Sequence, residues 1–106
     1  MTIIDDERAQ ALANAIIVQA ATDYRHARQY LRKNPKTPEL VARVEAMAPR
    51  MRSKTREGRL LNEIIKQEDM VSECERFFRS KWYSCLTDVD GEYILRKLQE
   101  EFADEC

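Results

Sequence analysis

Few residues in this chain could do chemistry, and their spacing limits what each could do. The single histidine, His26, stands between Arg25 and Arg28. A general base needs a partner within hydrogen-bond reach, and the surrounding residues offer none. Cys74 could serve as a nucleophile paired with it. Yet Cys74 falls in register on an apolar stripe, where a cysteine behaves as a small inert hydrophobe. Asp88-Val89-Asp90-Gly91-Glu92 suggests a calcium loop. Aligning Gly91 with the glycine of such a loop leaves Leu86 and Lys97 at its first and last ligand positions. Neither can hold calcium, so these carboxylates read as N-terminal charges on a following helix. No phosphate-binding glycine motif and no His/Cys metal spacing occurs. The expectation is a non-enzymatic chain with no cofactor and no metal.

Other residues could bind rather than react. Arg25, Arg28, Arg32, Lys33 and Lys36 form one basic block; Arg50, Arg52, Lys54, Arg56 and Arg59 form another. Glu63, Glu68, Asp69, Glu73 and Glu75 are acidic, as is the tail with Glu100, Glu101, Asp104 and Glu105. A basic patch can hold phosphates. With a formal net charge of −1, pairing within the molecule is the preferred reading, and nucleic-acid binding through 50–59 is the alternative. The aromatic residues are concentrated between Cys74 and Leu95. Phe77, Phe78, Trp82, Tyr83 and Tyr93 cannot all face one way from a helix. Phe78, Trp82 and Tyr93 are expected in the core, with Phe77 or Tyr83 partly exposed. Phe77, Arg79, Trp82 and Tyr83 form the candidate partner-binding set, since Trp, Tyr and Arg concentrate interface energy.

The elements that must position these residues follow from periodicity and punctuation. The chain has 106 residues, 43% hydrophobic and 35% charged, which suits one domain over 1–106 and neither a disordered chain nor a membrane span. Its three cysteines, at 74, 85 and 106, make neither a disulfide framework nor a zinc site and suit a reducing cytoplasm. Met1 to Glu7 carries no basic region or cleavage site, so no secretory signal is expected. Only two Gly and three Pro interrupt the chain, which favours long helices. A first helix is predicted from about Asp5 to Arg32, with Ala9, Leu12, Ala13, Ile16, Ile17, Ala20, Tyr24, Ala27 and Leu31 on one stripe. Asn34-Pro35 stops it. Thr37 and Pro38 begin a second helix, and Pro49 ends or kinks it. Arg50 to Arg59 reads as a connection with a turn begun by Ser53, because Gly58 weakens a helix there. A third helix is predicted from about Arg59 to Arg79. Its stripe is wide enough for two partners, which allows a homodimer. Ser80 caps a short piece. Thr87 with Asp90 resembles a capping box for a last helix from Asp88 to about Ala103, with Val89, Tyr93, Ile94, Leu98 and Phe102 on one face. A hairpin turning at Asp90-Gly91 competes, but Arg96 to Phe102 keeps helical spacing. The fold class is all-α: a small bundle of three to four helices with an aromatic corner before the last.

Cys74-Glu75-Arg76-Phe77-Phe78-Arg79-Ser80, Trp82-Tyr83 and Leu86-Thr87-Asp88-Val89-Asp90-Gly91-Glu92-Tyr93-Ile94-Leu95, as far as Leu98, resemble small uncharacterised helical proteins encoded in phages and prophages of Gram-positive bacteria. Asp23-Tyr24-Arg25 and Tyr30-Leu31-Arg32-Lys33-Asn34-Pro35 are similar to the front half of the same group. The resemblance implies a cytoplasmic accessory protein of a mobile element and no activity. By analogy, such a protein binds and blocks a host protein, such as a nuclease or a component of antiviral defence, in an anti-CRISPR-like manner.

Overall fold

In the computed structural model, residues 6–103 are described, and they form six helices with no strand among them. These are α1 Asp6–Lys33, α2 Pro38–Glu45, α3 Pro49–Arg52, α4 Arg56–Phe78, α5 Lys81–Leu86 and α6 Gly91–Glu100. The all-helical expectation holds, but the helices number six where three to four were expected. The additional ones are short: α5, the piece that Ser80 caps, and α3, a single turn begun by Pro49, which is well placed at a first helical position. Asp5, Asp104, Glu105 and Cys106 lie outside the described residues.

Helix ends follow the expected chemistry at most places. Asn34 closes α1, its backbone N–H and side-chain amide both donating to the Tyr30 carbonyl, at 2.9 and 3.1 Å. The Thr37 hydroxyl accepts from the Leu40 N–H at 3.2 Å, and Pro38 opens α2. Ser80 accepts from the Tyr83 N–H at 3.1 Å and so starts α5. Two boundaries differ. The long helix α4 begins at Arg56, capped by Thr55, whose hydroxyl accepts from the Gly58 N–H at 3.1 Å. Gly58 thus lies inside the helix rather than before it. Its hydrogen in place of a side chain lets α4 cross α3 closely, since a Cβ there would stand 1.5 Å from the Arg52 carbonyl oxygen. The last helix begins at Gly91, capped by Asp90 through the Glu92 N–H at 3.1 Å. Thr87 instead accepts from the Val89 N–H, a local turn before that cap.

The main packing is between α1 and α4. They run antiparallel: Tyr24 meets Glu75, while Lys36, just past the end of α1, pairs with Glu68. Tyr24, Cys74, Phe78, Tyr83, Leu95 and Leu98 form one buried cluster, which α5 and α6 close from the far end of α4. Ion pairs join the helices at its edge: Arg25 holds Glu101 through two 2.8 Å bonds, and Arg79 holds Glu92. The first basic block is therefore used largely within the molecule. Arg28 donates to the Tyr24 hydroxyl at 3.0 Å and lies over the Phe102 ring, as does Arg32. The molecule is open in shape. Its radius of gyration is 18.2 Å, against about 13 Å for a compact chain of this length. In the first turns of α1, residues 6–12 are exposed.

Candidate protein-docking groove

The aromatic residues are sorted differently from the expectation. Phe78 is buried, 2% exposed, as expected. Trp82 and Tyr93 were expected in the core, yet they are 58% and 47% exposed. Tyr83, expected as a partner contact, is 2% exposed. The reason is rotation about short helices. Successive residues of a helix point about 100° apart, so when Ser80 starts α5 and Tyr83 turns under Phe78, Trp82 must turn out. On α6 the inward positions are Leu95, Leu98 and, beyond the helix end, Phe102, with Ile94 half-buried. Tyr93 stands outside that face beside Arg96 and Lys97, at 5.5 and 5.6 Å from its ring centre. Tyr83 is therefore withdrawn from the partner-binding set.

The remaining members of that set stay at the surface. Phe77 is half-buried and Arg79 exposed. Phe77 holds Phe78, Trp82 and Tyr83 edge-on, with ring centres 5.3, 5.5 and 5.7 Å away. Its ring links the buried pair to the exposed indole. Arg79 is engaged with Glu92 and points to the α6 side.

Phe77 and Trp82 wall an apolar groove of about 330 Å³. Its other sides come from α1, through Ile16 and Ala20, and from α4, through Met70 and Cys74. Asp23, Glu73 and Gln19 complete the lining. The Gln19 amide donates to Asp23 at 2.8 Å. Sequence reasoning missed the α1 half of this site, because Ile16 and Ala20 read simply as core-facing stripe. The one signal in the sequence was a third-helix stripe already wide enough for two partners; the exposure of Trp82 was not legible there.

Chemistry at this place is disfavoured. Burial pushes the Cys74 thiol up to about 11, helped by the negative charges of Asp23, Glu73 and Glu75. It is therefore held as a thiol at neutral pH, the wrong state for a nucleophile. His26 is an exposed side chain of α1. A second cavity, of about 430 Å³, lies between α5 and α6 beside Asp88 and Asp90. The Asp90 carboxylate already caps α6, and no group of three or more His, Cys, Asp or Glu among the described residues could hold a metal ion. The Tyr83 hydroxyl nearby is buried with no hydrogen-bond partner among the described residues.

The 50–59 segment is divided in use. Arg52 is taken up within the fold, donating to the Val44 and Glu45 carbonyls at 3.1 and 3.0 Å, where it closes α2. Arg50, Lys54, Arg56 and Arg59 are exposed. Among the described residues no helix is long and apolar enough to cross a membrane. No family model matches the chain, and neither curated proteins nor solved structures yield a match.

Proposed function

We propose that this protein is a non-enzymatic protein-binding module that docks a partner in the groove between α1 and α4. One observation carries the reading: the only Trp of the chain stands 58% exposed, edge-on to Phe77, at the wall of an apolar groove. A large aromatic left outside a core with room for Tyr83 is the kind of side chain that concentrates interface energy. In this reading the chain is one domain, a small bundle around α1 and α4, with the aromatic corner of Phe77, Phe78, Trp82 and Tyr83 before its last helix. The same proposal takes it as a cytoplasmic phage- or prophage-type inhibitor of a host defence protein or nuclease. Its support there is the resemblance of Cys74 to Leu98.

The test is an affinity pulldown from a bacterial host, run with and without nuclease, using the parent chain and Trp82→Ala as baits. Thermal melting of both baits accompanies it. The expected outcome is a specific protein retained by the parent after nuclease treatment and lost with Trp82→Ala, whose melting is nearly unchanged. Equal retention by both baits overturns the groove. Recovery of nucleic acid alone supports the second reading, which has its own observation in the exposed Arg50, Lys54, Arg56 and Arg59. Such binding weakens steeply with salt.

A further inference from the structure

Resting on the docking reading above, we propose that the occupant of the groove is a basic amphipathic helix of a partner protein, with apolar anchors on Met70, Phe77 and Trp82 and Lys or Arg facing Asp23 and Glu73. Shape and charge lead to it independently. The groove lies between two antiparallel helices, and a third helix laid along such a seam is a recurring mode of recognition. Its floor and walls, Ile16, Ala20, Met70, Cys74, Phe77 and Trp82, offer mainly apolar contact. The charged groups that line it are both carboxylates, Asp23 and Glu73. The nearest cations in sequence, Arg25, Arg76 and Lys81, are exposed and do not line it, and Arg25 is held by Glu101. The thiol at its floor reports the same field, since Asp23, Glu73 and Glu75 all help to keep Cys74 protonated. An acidic partner segment would bring like charges together as it covered the apolar floor, which opposes binding. A basic segment gains the attraction and covers the same surface. The whole chain, at a formal net charge of −1, supplies little general attraction for cations, so a preference for basic helices would have to come from this rim.

Two Trp-free, fluorescently labelled peptides of about four helical turns test this. One is an amphipathic Leu/Lys sequence; the other has Glu in place of each Lys. Binding is read by anisotropy of the label at low and moderate salt, and by the emission of Trp82, the only indole present. The basic peptide is expected to bind, to shift Trp82 emission to the blue, and to bind about tenfold more tightly than its acidic twin, as two partly exposed charge contacts and their reversal allow. The double substitution Asp23→Asn with Glu73→Gln is expected to erase most of that ratio while leaving the melting temperature unchanged. Trp82→Ala is expected to weaken both peptides. Equal binding of the two peptides, or a ratio untouched by the double substitution, overturns the basic-partner inference and leaves the docking groove standing. No binding of either peptide, together with no effect of Trp82→Ala in the pulldown, overturns the inference and the docking reading alike.

Discussion

Tyr83→Phe is expected to make this protein more stable. The side chain is 2% exposed, its ring held between Phe77 and Phe78 with centres 5.7 and 5.6 Å away. Its hydroxyl is buried with no partner among the described residues. An unpaired buried hydroxyl costs about 1–3 kcal/mol. Removing one oxygen leaves a void no larger than a methyl group, which costs up to about 1 kcal/mol. The balance is a gain of about 0.5–2 kcal/mol, or roughly 2–8 °C in melting temperature for a domain of this size. Melting followed by circular dichroism measures it. The pH dependence gives a second, independent check. Burial, and then the charge of Asp90, raise the Tyr83 phenol above its ordinary 10.0. The folded state therefore keeps this proton after the unfolded state has lost it. Stability linked to Tyr83 is fully present below 10.0 and is lost as pH rises toward the folded value. Phenylalanine removes that loss, so the advantage of Tyr83→Phe should widen between about pH 8 and about pH 11. Tyr24 and Cys74, also raised by burial, contribute equally in both proteins and cancel. A less stable Tyr83→Phe would mean the hydroxyl has a partner and would refute the reasoning. A stability gap that stays constant across that pH range would refute the assigned shift.

Three further outcomes are expected. Gly91→Ala should destabilise the fold by about 1–3 kcal/mol in urea unfolding despite the better helix former. Its Cβ would stand 1.8 Å from the Phe78 carbonyl oxygen and 3.0 Å from the Tyr83 ring, so α6 must move off the end of α4; an unchanged midpoint would contradict this. In the native chain at neutral pH, a thiol reagent followed by peptide mapping should mark exposed Cys85 and spare Cys74 until unfolding; equal rates would show that the groove floor is open. Arg52→Ala should cost about 1–3 kcal/mol by freeing the carbonyls of Val44 and Glu45, whereas Arg50→Ala, at an exposed position, should stay within about 0.5 kcal/mol; similar losses would mean Arg52 does not close α2.

The basic segment shows how a residue type can mislead when its setting is unknown. Arg50 and Arg52 look alike in the chain, and only the end of α2 distinguishes them. Unpaired carbonyls at a helix C-terminus accept a nearby guanidinium, and α3 brings Arg52 to them. Gly58 misled in the opposite sense. By propensity it weakens a helix, yet at that crossing only a residue without a Cβ fits against the Arg52 carbonyl. In both cases the deciding partner lies on another element, and a local pattern carries no record of it.

The helical type and most boundaries of the longer helices were determined by the sequence alone, whereas the single turn α3 was not. Three- and four-residue spacing, Thr37-Pro38, Ser80 and Asn34 act within a turn or two of where they stand, so local chemistry is enough to read them. What tertiary structure decided was the rotation of α5 and α6 about their axes. The stretch from Phe77 to Tyr93 holds more large rings than one helix face can bury, and the propensities of Trp82 and Tyr83 do not rank them. The carbonyl of Phe78 beneath Gly91, and the Tyr83 ring beside it, settle which rings fit inside. Trp82 was left at the surface because the space beneath α5 was already filled, and the groove it walls exists only once α1 lies alongside α4.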